Sequence, residues 1–365
     1  MKKTLTRKDI DIAKLNYYLK NIMRLLNPPM GIIPPAITEY NTYAHTINKP
    51  IPYNSTSDYA GKYMDMIRLA VLRSLNEWNP NHEVDRVGIF LSGGIDSALL
   101  LKFTADILGP DHVRGYNMTW GEDKDETEYA KAVCDATGVK LIQRFMPYEE
   151  VPKLIKESCQ LMRAPSWCPQ VLFIAKVLEE DGTNKAFIGL GLDAITGGET
   201  NLWAVQHDVV KFEAEETKTL NLQRDYIWGN VYHCHGRVDL KIPYLKHPDI
   251  VAWMRSLPIC HKVEGPITKL RIRKEIEQFG ILPAINRDYG KMVGTKRGFG
   301  PNWETYFQHG YRKFAHEHDP ALKDFNMERF ETYKKWKTSF WYELTYSSLY
   351  FFLELLDEGA FTVEE

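Results

Sequence analysis

Cysteine is scarce in this sequence and never paired. Five residues in 365 are cysteine, scattered at positions 134, 159, 168, 234 and 260 with no Cys-x-x-Cys among them. An odd, dispersed set excludes a disulfide scaffold and a zinc knuckle, and it predicts free thiols in a reducing, cytoplasmic compartment. Long hydrophobic runs are also missing. The basic opening stretch MKKTLTRKDIDIAKLNYYLKNIMRLL is interrupted by charges every few residues, which excludes a secretory leader and a membrane span. Leu15, Leu19, Ile22 and Leu26 instead predict an amphipathic helix that stops at Pro28-Pro29 and packs on the body of the protein. No excess of either charge exists: the formal net charge is -2. No nucleic-acid or membrane partner is therefore expected, and an acidic ligand must be held locally. His233-Cys234-His235 is dense in metal-ligand types, but neighbours on an extended chain point to opposite faces. A solvated strand end is the expectation there.

What the sequence does contain is a rhythm. Residues 28–56 are rich in proline and turn formers and read as a connecting segment. From Asp58 to Trp78, Met64, Ile67, Val71 and Leu75 recur at helical spacing. Strands then alternate with helices: RVGIFL, HVRGYNMTW, KLIQRFM and KAFIGLG are strands, and DSALLLKFTADIL, ETEYAKAVCDATG, residues 149–162 and VLFIAKVLEEDG are helices. Short connections between them predict an α/β fold with a doubly wound parallel sheet, whose ligands bind at the carboxyl ends of the strands. Beyond Leu202 the pattern turns helical and polar, a helical C-terminal region is predicted to close over the cleft, and the final Val-Glu-Glu reads as a solvated terminus.

The first of these strands runs into Ser92-Gly93-Gly94-Ile95-Asp96-Ser97. Two glycines after a strand let the backbone turn and approach a ligand without Cβ obstruction. The helix that follows points unpaired N–H groups and its positive end into the same space, and Ser92 and Ser97 add hydroxyls. Such a cradle suits a phosphate chain. Asp96 would repel phosphates unless a cation stands between them, and magnesium held by one or two carboxylates plus phosphate oxygens resolves the conflict. A plain helix-capping role would explain the Asp, though not the glycines and serines. The sequence holds no GxxxxGK[ST], so this is not a Walker A loop.

SGGIDS resembles the PP-loop of the ATP pyrophosphatase superfamily, which cleaves ATP between the α and β phosphates. FIGLGLDAITGG, residues 187–198, matches without gaps the pattern LSGEGADELFGG of the asparagine synthetase / β-lactam synthetase family, with Gly189, Gly191, Asp193, Gly197 and Gly198 in register. DETEYAKAVCDATGV, VDLKIPYLKHPDIVAWMRSLP and LRIRKEIEQFGILPAINRDYGKMVGTKRGFG resemble further segments of that family in the family's order. The resemblance covers roughly residues 58–305. It implies a PP-loop (HUP-type) α/β domain over 58–305, preceded by an N-terminal helix and extended segment, 1–57, and followed by a helical extension, 306–365. It further implies ATP and Mg2+ as cofactors, with the metal held by Asp96 and Asp193. Ser92, Gly93, Gly94, Asp96 and Ser97 would hold the phosphates, backbone groups at Leu91 and Met118 the adenine, and Gly189 would lie against the ribose. Lys296 matches the lysine that stabilises charge on the departing pyrophosphate, and Lys291 is a rival for the role.

The implied reaction is adenylation of a carboxylate substrate followed by attack of ammonia or an amine to give an amide. The sequence departs from the family in three respects. It starts Met1-Lys2-Lys3, and roughly 75 residues before the core are too few for a glutaminase domain, so a separate glutaminase partner is a possible ammonia source. Leu190 and Ala194 stand where the family has acids, which predicts a substrate pocket near Leu190, Ala194 and Trp167-Cys168 that is more apolar than an aspartate site. Asp239, Lys241 and Lys246 replace the family's Glu, Arg and Asp. Rival readings are a PP-loop enzyme acting on nucleobases in RNA or DNA and a catalytically altered nucleotide-binding descendant. A dehydrogenase, from the GxGxx[GA] match in GLGLDA, is weaker because it leaves SGGIDS unexplained.

Overall fold

The apolar run before Ser92 forms the middle strand of a five-stranded parallel sheet. The computed structural model describes residues 2–7, 62–78, 86–119, 127–163, 169–265, 267–280 and 339–364. Its elements are β1 (Lys2–Thr4), α1 (Lys62–Asn76), β2 (Val87–Phe90), α2 (Ile95–Leu108), β3 (Val113–Thr119), α3 (Thr127–Thr137), β4 (Lys140–Phe145), α4 (Val151–Met162), α5 (Pro169–Glu180), β5 (Lys185–Ile188) and α6 (Leu192–Thr196). Then follow α7 (Val209–Cys234), β6 (Asp239–Lys241), α8 (Pro248–Ser256), β7 (Val263–Glu264), β8 (Ile267–Thr268), α9 (Leu270–Gln278), α10 (Ser339–Asp357) and β9 (Thr362–Glu364). The four expected strands and the helices between them are present. The sequence-predicted N-terminal helix, the proline-rich segment, Trp167-Cys168, Lys291 and Lys296 lie outside the described residues.

Sheet order is β4-β3-β2-β5-β6. The chain leaves β2 toward β3 on one side and returns to β5 on the other, so β2 and β5 flank the point where the winding reverses. In open α/β sheets that is where the ligand crevice opens. All four β2 residues are buried, as a strand covered on both faces requires. α1 buries Tyr63, Met64, Ile67, Ala70, Val71 and Leu75 in the main core. Its start is tied down from far along the chain: the Met64 N–H donates to Glu275 Oε2 at 3.2 Å.

Three sequence expectations change. β6, Asp239–Lys241, is a fifth core strand that polarity conceals. Lys241 is buried because its ammonium sits 3.1 Å from Glu77 Oε2 and 4.5 Å from the centroid of the Trp78 ring, with Lys246 bonded to the same carboxylate. Trp78 in turn donates to Asp239 Oδ2 at 2.6 Å and stacks on Phe187. Asp239, Lys241 and Lys246, the last of the departures from the family pattern, thus form one network around Glu77 and Trp78. Burial alone would raise the Glu77 pKa, yet hydrogen bonds from Lys246 and Lys241 hold it below the ordinary value. The final Val-Glu-Glu is not merely solvated: β9 pairs antiparallel with β1, joining the two ends of the chain, and Arg7 bonds Asp357 at 2.8 Å. α10 packs chiefly on α4, with Lys156 between Glu354 and Glu358.

His233-Cys234-His235 lies at the end of α7, not on a strand. Cys234 is fully buried and burial pushes its thiol well up. Among the described residues no group of three His, Cys, Asp or Glu side chains is placed to hold a metal, and no helix is long and apolar enough to cross a membrane.

α7 is anchored by an ionic knot. Glu216, 2% exposed, accepts from Lys262 Nζ at 2.5 Å and from Arg255 Nε at 3.4 Å, and Lys262 also donates to the Arg255 carbonyl. Truncating the carboxylate that joins these cations leaves buried charge poorly compensated. Glu216→Ala is expected to lose about 3–5 kcal/mol in urea unfolding, whereas the paired change Glu216→Leu with Lys262→Met recovers most of it.

Candidate active site

The bend after β2 turns through Gly93, whose φ of 83° belongs to the left-handed region that a side chain disfavours. Ser92 and Ser97 lace it together. The Ser92 N–H donates to Ser97 Oγ at 3.2 Å, the two hydroxyls lie 3.2 Å apart, and Ser97 Oγ donates to the Gly94 carbonyl at 3.1 Å. Gly94 takes the N-cap position of α2, with Asp96 inside the first turn. Helix capping therefore does not account for Asp96.

The second loop follows β5 and comes hard against the first. A Cβ built on Gly189 would lie 2.9 Å from the Ser97 nitrogen and 3.1 Å from the Asp96 carbonyl carbon. Only a bare α carbon allows this approach. Gly189 therefore docks the two loops to each other, a structural duty beside the ribose contact the family resemblance implies. Tyr244, buried at 1% exposure, braces the joint by donating its hydroxyl to the Asp96 carbonyl at 2.7 Å.

The closeness of the loops brings the two predicted metal aspartates together on a residue that sequence reading missed. Lys269 Nζ lies 2.5 Å from Asp96 Oδ1 and 2.7 Å from Asp193 Oδ1. Asp96 and Asp193 stand at the carboxyl ends of β2 and β5 and share one ammonium between them. Burial pushes the Asp96 carboxyl up to about 7; Lys269 pulls against that shift and the Asp193 charge reinforces it. Burial disfavours the Lys269 charge, but the two carboxylates hold its pKa above the ordinary lysine value. Lys269 is also one of two described non-glycine residues with positive φ, at 54°. That conformation is uncommon outside glycine, asparagine and aspartate, and it is kept where the surroundings enforce it.

The remaining predicted residues fall around this pair. The Leu91 N–H donates to the Tyr116 carbonyl at 2.8 Å and its own carbonyl accepts from Asn117 Nδ2 at 2.8 Å; the carbonyl keeps a second lone pair for a ligand. Met118 sits near the end of β3, in register with Arg144 of β4. Leu190 is half-buried at the loop, but Ala194 is fully buried in the core, so it does not face a pocket as the sequence suggests. An acid at that position would have to be desolvated.

A parallel α/β sheet with a serine–glycine loop at the winding reversal, facing a second glycine loop, is the PP-loop type of fold. Residues 83–210 match the family model for asparagine synthase, and this segment carries both loops and both aspartates. Over 197 residues the chain is 27% identical to a protein of Methanocaldococcus jannaschii named "Putative asparagine synthetase (glutamine-hydrolyzing) 1". That match takes in 49% of this chain and spans 34% of the length of that protein.

Proposed function

We propose that this chain is an ATP-dependent ligase that activates a carboxylate as its adenylate and transfers it to ammonia or an amine. The observation that supports the reading best is the convergence of Asp96 and Asp193 on one cation, beside a hydroxyl- and glycine-lined bend at the switch point of the sheet. Two carboxylates from adjacent strand ends suit a magnesium ion, whose remaining ligands would be waters and phosphate oxygens. When bound, such an ion neutralises charge on the triphosphate. The Gly93–Ser97 turn, with the N-terminal end of α2, would hold the pyrophosphate portion. The Asp96 and Asp193 carboxylates would keep the phosphate chain oriented so that its α-phosphorus faces the incoming acid. The substrate carboxylate oxygen then attacks the α-phosphorus and the bond to the bridging oxygen of pyrophosphate breaks. The nitrogen nucleophile next attacks the acyl carbon and AMP leaves with the electron pair of the acyl C–O bond. Lys296, or Lys291, would meet the developing negative charge at the α-phosphate, where a fixed cation contributes several kcal/mol.

Leu190 leaves this part of the site without an acid that the asparagine-synthetase pattern has, so the acid substrate is proposed to be other than aspartate. The test is pyrophosphate release from ATP and magnesium across a panel of carboxylate and amine pairs, with Asp96→Ala as the blank. A pair-dependent burst above that blank is expected. Efficient asparagine formation from aspartate and ammonia would overturn the substrate assignment, and release from no pair at all would overturn the reaction.

A further inference from the structure

We propose that Lys269 is a built-in counter-ion that occupies the place of the divalent cation between Asp96 and Asp193, so that a cation enters only together with a nucleotide. The inference rests on the reading of the two aspartates as the cation site and adds to it an order of binding.

Lys269 is committed to this position by several independent contacts. Its ammonium bonds both carboxylates, and its side chain is 9% exposed. Its stem runs where a residue at Gly198 would otherwise reach, for a Cβ there would stand 2.5 Å from Lys269 Cε. Its backbone holds the left-handed conformation at the start of α9. Arg273, one turn into α9, donates to the Thr268 carbonyl at 2.8 Å and adds positive potential at Asp96. Taken formally, two carboxylates and one ammonium leave a single negative charge, and Arg273 adds a weaker positive field to it.

A bare divalent cation gains little from such a site. It must displace the ammonium from both oxygens, and a displaced ammonium in a buried position needs a new anion. A triphosphate brings that anion. It gives the divalent cation further oxygen ligands and gives Lys269 a phosphate to pair with, since a lysine ammonium binds phosphate as a point charge. Cation and nucleotide thereby favour each other's binding, which is a coupling between ligands of the kind typically worth 5- to 150-fold.

The probe is Mn2+, followed by electron paramagnetic resonance with and without the non-cleavable analogue α,β-methylene-ATP, with thermal melting as a second readout. The wild-type protein is expected to bind Mn2+ tightly only when the analogue is present. Lys269→Met is expected to bind Mn2+ without nucleotide about tenfold or more tightly than wild type. Its melting temperature should fall in EDTA and recover when Mn2+ is added. Lys269→Arg keeps the charge and should, like wild type, bind Mn2+ tightly only with the analogue present. Asp193→Asn combined with Lys269→Met removes one charge of each sign, so it should regain stability in EDTA and bind no Mn2+ alone. If Lys269→Met folds only when Mn2+ is present, while the double variant folds in EDTA, the counter-ion role is supported. Equal Mn2+ binding by wild type and Lys269→Met without nucleotide overturns the inference, and leaves the cation site standing if wild type binds Mn2+ with the analogue. Absence of Mn2+ binding by every variant even with the analogue removes the cation site and this inference together.

Discussion

Asp96→Asn is expected to abolish pyrophosphate release, by at least about a thousandfold, while leaving the fold in place. The size follows from removing one of two carboxylates that would hold the cation on the triphosphate. A loss of ~4 kcal/mol of charge stabilisation is three orders of magnitude in rate. The fold survives because the amide has the same shape and because the contact that braces the joint uses the Asp96 backbone: Tyr244 donates to its carbonyl, not to its carboxylate. Were Asp96 only a favourable charge in the first turn of α2, the change would shift stability by about 0.3–1 kcal/mol and leave turnover intact. A malachite-green assay after pyrophosphatase treatment, run beside a melting curve, separates the two outcomes.

Gly198→Ala is the second change with a large expected effect, and it acts without touching a charge. The added Cβ would overlap Asp193 Oδ1 and stand 2.7 Å from the Asp193 α carbon, which belongs to α6 and cannot swing away. The Asp193 carboxylate must then leave its place beside Lys269. Displacing a group in such a constellation by about 1 Å costs about a hundredfold in rate. Crowding a packed loop typically costs about 1–3 kcal/mol in stability. Turnover measured well below the melting temperature is expected to fall by that factor. Unchanged turnover would show that the position of the Asp193 carboxylate does not matter to the reaction.

The sequence carried the fold where burial and periodicity agree. β2 to β5 and the helices between them are runs of apolar residues of the right length, cut by Gly109, Gly138 and Gly182. β6 escaped because Asp239 and Lys241 read as surface residues, and partners more than a hundred and fifty positions earlier, chiefly Glu77 and Trp78, make them fit for a sheet. The β1–β9 pairing escaped for the same reason, as its two strands are at opposite ends of the chain.

The candidate site divides along the same line. Asp96 and Asp193 were visible because each lies in the first turn of a helix directly after a strand and a glycine turn, a local pattern with a local reason. Lys269 was not, since its partners are Asp96, 173 residues away, and Asp193. Its one local signature, a lysine in left-handed backbone at the start of a helix, is conformational and leaves no mark in residue type. Tyr244 was not singled out, and Gly189 was legible as a position but not for its packing duty. One braces the Asp96 backbone, and the other lets two loops touch.

The central claim is that Asp96 and Asp193 jointly hold a divalent cation on the phosphates of ATP. Anomalous diffraction from crystals grown with Mn2+ and α,β-methylene-ATP tests it most directly. The account predicts one manganese peak bonded to both carboxylates, with the triphosphate lying over the Gly93–Ser97 turn and Lys269 turned toward a phosphate. A nucleotide bound elsewhere, or Lys269 still bridging the two aspartates with no manganese beside them, would contradict it.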